Sequence, residues 1–338
     1  MSFPQPLFVT GHGGLVGSAV CRAADARGLD VVRRTRAELD LTVKADVVRE
    51  VGAMMPGAIV MASGRVGSIL ANAEAPADFL DDNLQVQTNV LGAAVAHRVP
   101  RLLFLGSAAM YPEHAPQPLA ENALMRGPLA PSHEAYAMAK LAGTAHVQAI
   151  RRQHGLGYIT AIPTNLYGPG DHFDLTTGHV LPAMIRRMHD AKVREERHVA
   201  VWGSGEARRE FLHVDDLASA CLFLLEHYDD PEPINVRVGS EISIRELAGL
   251  VREVVGFEGN VMWDRSKPDG APRRLLDSRA INALGWSPSI SLEDGVRSTY
   301  AWYLEYAYVD RRRLPRTGPA DEWGPFTAGS DRRSSRPR

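Results

Sequence analysis

The chain has 338 residues, 45% of them hydrophobic and 23% charged, with 38 basic side chains against 40 acidic ones and a formal net charge of −2. That length holds one large α/β unit with a smaller lobe, and the balanced charge offers no field that would capture nucleic acid or an anionic membrane. No apolar run reaches the roughly 18 residues needed to span a bilayer, and no basic-then-apolar leader opens the chain, so the sequence reads as a cytoplasmic protein without a membrane partner.

Short apolar runs at 7–10, 29–33, 57–61, 101–106 and 158–162 read as buried strands, with helical stretches near 14–27, 43–54, 76–97 and 132–154 between them. Strands alternating with helices of this length predict a Rossmann-type, doubly wound parallel sheet covered on both faces, the α/β class. Further on come a helix near 178–190, a short strand around Val201 and a strand at 209–213. That last strand and a helix at 214–227 are expected to return to the main sheet. Two or three helices and a short strand between 241 and 307 read as the smaller lobe. The tail from 309 is rich in Arg, Pro, Gly and Ser without periodicity and is expected to be disordered. Cys21 and Cys221 lie in apolar helical surroundings and read as reduced core residues.

The first strand runs into Thr10-Gly11-His12-Gly13-Gly14-Leu15-Val16-Gly17 just before a helix. Glycines at 11, 14 and 17 permit a tight turn and close approach of backbone to a pyrophosphate, which the helix N-terminus attracts. The second strand ends in Arg33-Arg34-Thr35-Arg36, with no acid to accept from a ribose 2′-hydroxyl. Arg34 and Arg36 there favour a 2′-phosphate, hence NADP(H).

Tyr136 and Lys140 stand four residues apart, on one face of a helix. The spacing predicts that the ammonium, together with oxidised nicotinamide when present, favours the phenolate and brings Tyr136 into acid/base range. Ser107 follows the strand at 101–106, at the carboxyl edge of the sheet where ligands bind, and can orient the same substrate oxygen.

The chain resembles the GDP-L-fucose synthase branch (GDP-4-keto-6-deoxymannose epimerase/reductase) of the extended short-chain dehydrogenases/reductases, from about residue 6 to 306. The carriers are the Gly11/Gly14/Gly17 turn, Arg34-Thr35-Arg36, Leu105-Gly106-Ser107, Tyr136/Lys140, Pro163 through Pro169, His179, Val201 through Gly205, Arg209 through Asp216, and Ser266 through Gly270. The resemblance implies catalysis by Ser107, Tyr136, Lys140 and His179. It implies cofactor contacts from Gly11, Gly14, Leu15, Val16, Gly17, Arg34, Arg36, Leu105, Gly106, Lys140, Pro163, Asn165, Leu166 and His179. A GDP-sugar would meet Ser107, Asn165, Arg187, Trp202, Arg209 and Asp269. The arginines suit a diphosphate, while Trp202 offers a flat face. No metal is called for. The implied division is an NADP-binding domain, 1–167 plus about 208–240, and a nucleotide-sugar lobe, 168–207 and 241–308. The resemblance also implies a homodimer, formed through the helices at 76–97 and 132–154.

One departure bears on chemistry. The family's 3,5-epimerisation uses a Cys two residues after the catalytic Ser together with a His; His179 is present, but Ala109 stands at the Cys position. A methyl group cannot remove a carbon-bound proton, so reduction of a C4 ketone is expected to survive and epimerisation to be lost or weakened. A full 3,5-epimerase/4-reductase with another base, a nucleotide-sugar 4-epimerase and a non-catalytic NADP-binding regulator remain as alternatives.

Overall fold

A computed structural model describes residues 3–266 and 270–308. The tail from 309 lies outside the described residues. The chain begins with β1 (Leu7–Thr10), α1 (Leu15–Ala26), β2 (Val31–Val32), α2 (Lys44–Met54), β3 (Ala58–Met61), α3 (Ile69–Glu74), α4 (Pro76–Ala96), β4 (Arg101–Leu105), α5 (Glu134–His154) and β5 (Gly157–Pro163). Next come β6 (Asn165–Tyr167), α6 (Val180–Val193), β7 (His198–Trp202), β8 (Arg208–Arg209), β9 (Phe211–His213), α7 (Val214–His227) and β10 (Ile234–Val236). The remainder adds β11 (Ile242–Ser243), α8 (Ile244–Val255), β12 (Asn260–Asp264), β13 (Arg273–Arg274), α9 (Arg279–Ala283), α10 (Leu292–Trp302) and a π-helical turn (Tyr303–Ala307).

The expected doubly wound sheet is present. Its six strands lie in the order β2-β1-β3-β4-β5-β10, every pair parallel. Alternation along each strand feeds two separate cores. Leu7 and Val9 of β1 join the α1 and α7 side, with Val20, Leu217 and Leu224. Phe8 points the other way, to the α2, α4 and α5 side, with Ile59, Phe104 and Val147. The order reverses at β1, where β2 lies on one side and β3 on the other. That reversal opens a crevice at the carboxyl ends of the strands.

The strand expected at 209–213 does not join this sheet. It divides at Glu210: β8 pairs with β11 and β13, while β9 pairs with β6. The sheet is closed instead by β10, a three-residue strand beside β5. The helix at 214–227 does return, as α7, to cover the sheet. Asp215 and Asp216 open α7, but the cap is His213, whose side chain accepts from the Asp215 amide. Asp216 instead accepts from Ser289 and Ile290 amides and ties α7 to the chain before α10. A third core gathers Phe173, Leu181, Ile185, Phe211, Leu247, Val251 and Val296 around α6, α8 and α10. Helix α8 is fixed at both ends, by a Ser243–Glu246 capping box and by Gly256 in the left-handed region.

Candidate active site

The turn after β1 is shaped by contacts that exclude larger residues. Gly11 has φ +68°, and a Cβ there would lie 2.9 Å from the Ser63 backbone. A Cβ on Gly17 would overlap the Gly11 carbonyl oxygen, so α1 seats directly on the turn. Gly14 is the N-cap of α1 and supplies no side-chain acceptor to the first-turn amides. His12 Nδ1 is buried without a protein partner. A bare helix start, a glycine cradle and an orphaned nitrogen together fit a phosphate-bearing dinucleotide. Leu15 and Val16 pack partly against the core beneath the turn.

The three arginines after β2 are not equivalent. Arg33 is tied to Asp25 at 2.6 Å. Arg34 makes a looser pair with Glu50 at 3.5 Å, and Arg36 one with Asp40 at 3.8 Å, with 83% of the Arg36 side chain exposed. Surface pairs of that kind are weak and exchangeable for a phosphate.

At the carboxyl end of β4, Gly106 leads to Ser107, which opens a 3-10 turn, Ala108–Met110. A Cβ on Gly106 would meet Met110 at 2.8 Å and the Ala161 carbonyl at 3.4 Å, which sets Ser107 tightly against the sheet. The Ser107 hydroxyl accepts from the Ala109 amide at 3.2 Å and lies close enough to Tyr136 to lower its pKa. Lys140, one turn along α5, lies under the Tyr136 ring with Nζ 5.9 Å from its centroid, and donates to the Leu105 carbonyl at 3.1 Å. The three residues of the Ser/Tyr/Lys pattern therefore meet at one strand end.

Burial dominates their electrostatics. Burial pushes Tyr136 up to about 12, against the opposing effect of Ser107. Burial also pushes Lys140 down to about 8. Loss of water is the leading cause for both groups, and it favours the uncharged form of each. Tyr136 is a neutral phenol, the form that gives a proton.

Asn165 and Leu166 sit on β6, just past Pro163 at the end of β5; Asn165 Nδ2 donates to the Glu210 carbonyl at 2.9 Å. Arg187 of α6 donates to the Ala200 carbonyl at 2.6 Å, and burial lowers its pKa. Arg187 and Trp202 line one open cleft of about 440 Å³, where the Trp202 side of β7 is 46% exposed. Arg209 lies on β8, held by the Ile242 and Arg274 register. His179 is the N-cap of α6, its ring reachable from solvent while surrounding protein and then His172 lower its pKa. The loop before it is bonded to the segment that leads into α3, since the Ser68 hydroxyl donates to the Thr176 carbonyl and the Ser68 amide to the Thr177 carbonyl. Asp269 lies outside the described residues.

Residues 7–239 match the family described as NAD dependent epimerase/dehydratase. The chain is 54% identical over 301 residues to "Probable GDP-L-fucose synthase 1" of Oryza sativa subsp. japonica, covering 88% of this chain and 92% of that one. It belongs to this family, in the GDP-L-fucose synthase branch. Among solved structures, a GDP-6-OMe-4-keto-L-xylo-heptose reductase from C. jejuni is similar with a TM-score of 0.86 at 31% identity, covering 90% of this chain and 99% of that one. A second, MlghC, described as the GDP-mannoheptose C4 reductase from Campylobacter jejuni with NADP bound, has a TM-score of 0.82 at 32% identity over 90% and 99% of the two chains.

Three residues of this epimerase/dehydratase-family chain border the site without having been singled out in the sequence. Asn83, buried in α4, donates to the Arg65 and Phe79 carbonyls and accepts from the Arg65 amide, fixing the 64–65 backbone beside Lys140. His133, the N-cap of α5, pairs its Nδ1 with Ser132 at 2.9 Å; burial, then Arg274, push it down to about 4. Arg274 of β13 donates to the Ala108 carbonyl at 2.8 Å. No motif marks them. The one local signal was a pair of arginines just past Gly270.

Proposed function

We propose that this chain is an NADP(H)-dependent oxidoreductase that reduces the C4 ketone of a GDP-linked 4-keto-hexose or heptose, with 3,5-epimerisation lost or weakened. The observation that carries the reading is the Ser107–Tyr136–Lys140 group at the end of β4, with Ala109 packed against the apolar cluster of Met110, Tyr111, Leu129 and Leu141. Ala109 itself carries no ionisable atom. Cys21 and Cys221 both belong to the core on the α1 and α7 side, a different cluster from the one that holds Ala109.

The glycine turn and α1 would hold the dinucleotide pyrophosphate, and Arg34 with Arg36 its 2′-phosphate. Bound NADPH supplies the hydride. Tyr136, neutral through burial, gives its proton to O4 as charge develops there, and Ser107 orients that oxygen. Lys140 holds the ribose, with His179 as a hydrogen-bond donor at the far side. Arg187 and Arg209 meet the diphosphate, Trp202 covers a flat face, and Asp269 accepts from hydroxyls or guanine. The relatives named as GDP-sugar synthases and reductases support a GDP-sugar substrate.

The same reading extends to a cytoplasmic homodimer packed through α4 and α5. It divides the chain into an NADP-binding part, 1–167 with 208–240, and a sugar-nucleotide part, 168–207 with 241–308. No helix among the described residues is long and apolar enough to cross a membrane.

The name of the rice relative favours a second reading, the full 3,5-epimerase/4-reductase. One incubation separates the two: purified protein, NADPH and a GDP-4-keto-6-deoxy sugar in D₂O. Oxidation of NADPH with solvent deuterium absent from C3 and C5 is expected. Deuterium at both carbons overturns the loss of epimerisation, and NADPH left unconsumed overturns the reductase.

A further inference from the structure

Phe79 of α4 forms an edge-to-face pair with Tyr136, the ring centroids 6.4 Å apart and the planes at 88°. Phe79 is buried and is held by the loop after β3. The Arg65 guanidinium lies over its ring, 5.1 Å from the centroid. A Cβ on Gly67 would come within 3.1 Å of Phe79 Cζ, so the loop passes directly against the tip of the ring. Arg65 is itself fixed to α4, by Asp78 at 3.1 Å and Asp82 at 2.9 Å. Its backbone is clasped by Asn83, which also donates to the Phe79 carbonyl.

The Tyr136 ring turns on two side-chain bonds, and packing against Phe79 takes up that freedom. A proton donor must lie within hydrogen-bond reach of the oxygen it serves, and a misplacement of about 1 Å can cost about 100-fold in rate. We propose that Phe79 is a positioning residue for Tyr136: its ring sets the tilt of the phenol and keeps water from it, while Arg65 and Gly67 hold that ring in place. The inference rests on the reading of Tyr136 as the proton donor to O4. The polar groups around the phenol are Lys140 on its own helix, with Nζ 5.9 Å from the ring centroid, and Ser107 on the turn after β4. Behind Phe79 the charge of Arg65 is met by Asp78 and Asp82. Burial, ahead of any of these, is the leading cause that keeps the phenol neutral, and burial is what an apolar cover supplies.

The test titrates Tyr136 in the full-length protein, as the difference in phenolate absorbance between each protein and its Tyr136→Phe counterpart. In Phe79→Ala water reaches the ring, and the phenol is expected to titrate about one pH unit or more below wild type, towards the usual value of about 10. Turnover of a GDP-4-keto-6-deoxy sugar with NADPH is expected to fall by about 10-fold or more, with KM changed by less than about 2-fold. Phe79→Leu keeps an apolar cover but loses the flat edge, so its phenol titrates as in wild type and kcat recovers in part. NADPH affinity equal to wild type reports an intact fold in each variant. Should Phe79→Ala not fold, Phe79→Leu carries the test through kcat, expected to lie about 3-fold or more below wild type. An unmoved titration in Phe79→Ala, or a wild-type kcat in Phe79→Leu, overturns the role of Phe79 and leaves the reductase reading standing. A Tyr136→Phe variant that turns over like wild type overturns the reading of Tyr136 on which the inference rests.

Discussion

Replacing Lys140 by Met exchanges a buried ammonium for an uncharged chain of similar length. Lys140 is 5% exposed, and no carboxylate pairs with it among the described residues. Burial moves its pKa from 10.5 to about 8, which at 1.36 kcal/mol per pK step corresponds to about 3 kcal/mol of destabilisation at neutral pH. Met leaves the Leu105 carbonyl without its donor at a cost of about 1–2 kcal/mol. Lys140→Met should therefore stabilise the ligand-free protein by roughly 1–2 kcal/mol near pH 7 while abolishing turnover, a trade of function against stability. The pH dependence gives the sharper check. The folded pKa lies below the unfolded one, so the unfolded chain binds the extra proton between 8 and 10.5, and wild-type stability rises with pH across that window. The variant lacks that rise, so its advantage shrinks and then reverses. Urea denaturation of both proteins at about pH 7 and about pH 10 measures the gap. A variant less stable than wild type at the lower pH, or a gap that stays constant, would refute the reasoning.

Gly17→Ala places a methyl group against the Gly11 carbonyl; overpacking of about 1–3 kcal/mol, expressed at the turn, should weaken NADPH by roughly 10- to 100-fold in a fluorescence titration, and an unchanged Kd would remove the turn from the binding site. Glu210→Ala strands Arg237, which otherwise pairs with Glu210 at 2.7 Å and donates to the Leu276 carbonyl. The loss should be about 3–5 kcal/mol in urea midpoint experiments, and one below about 1 kcal/mol would show that the clasp is dispensable.

Much of the fold was legible because buried parallel strands and their crossover helices carry strong local patterns. The runs at 57–61 and 101–106 appear as β3 and β4 within a residue. Partnership was not local. Arg209 through His213 looks like one strand, yet Glu210 turns inward to meet Arg237, and its neighbours divide between two small sheets. β10 has only Ile234, Asn235 and Val236, too few for a period to register. In the site, the spacing of Tyr136 and Lys140 was readable, but the state of the phenol was not. Helical spacing places two groups together; it does not say how much water the rest of the chain removes. Arg274 has the same difficulty, since its ladder with β8 and its bond to Ala108 join it to residues far away in sequence.

The glycine that starts α1 has a consequence for stability. A helix capped by glycine, without a side-chain acceptor at its first turn, forgoes roughly 0.2–0.5 kcal/mol that Ser or Asp would contribute. An anion docked there would serve as the missing cap, and a ligand at about 100 times its Kd would add about 2.7 kcal/mol to the folded state. Stability of the fold is thus tied to occupancy of the turn, and protein saturated with dinucleotide is expected to melt later than protein stripped of it.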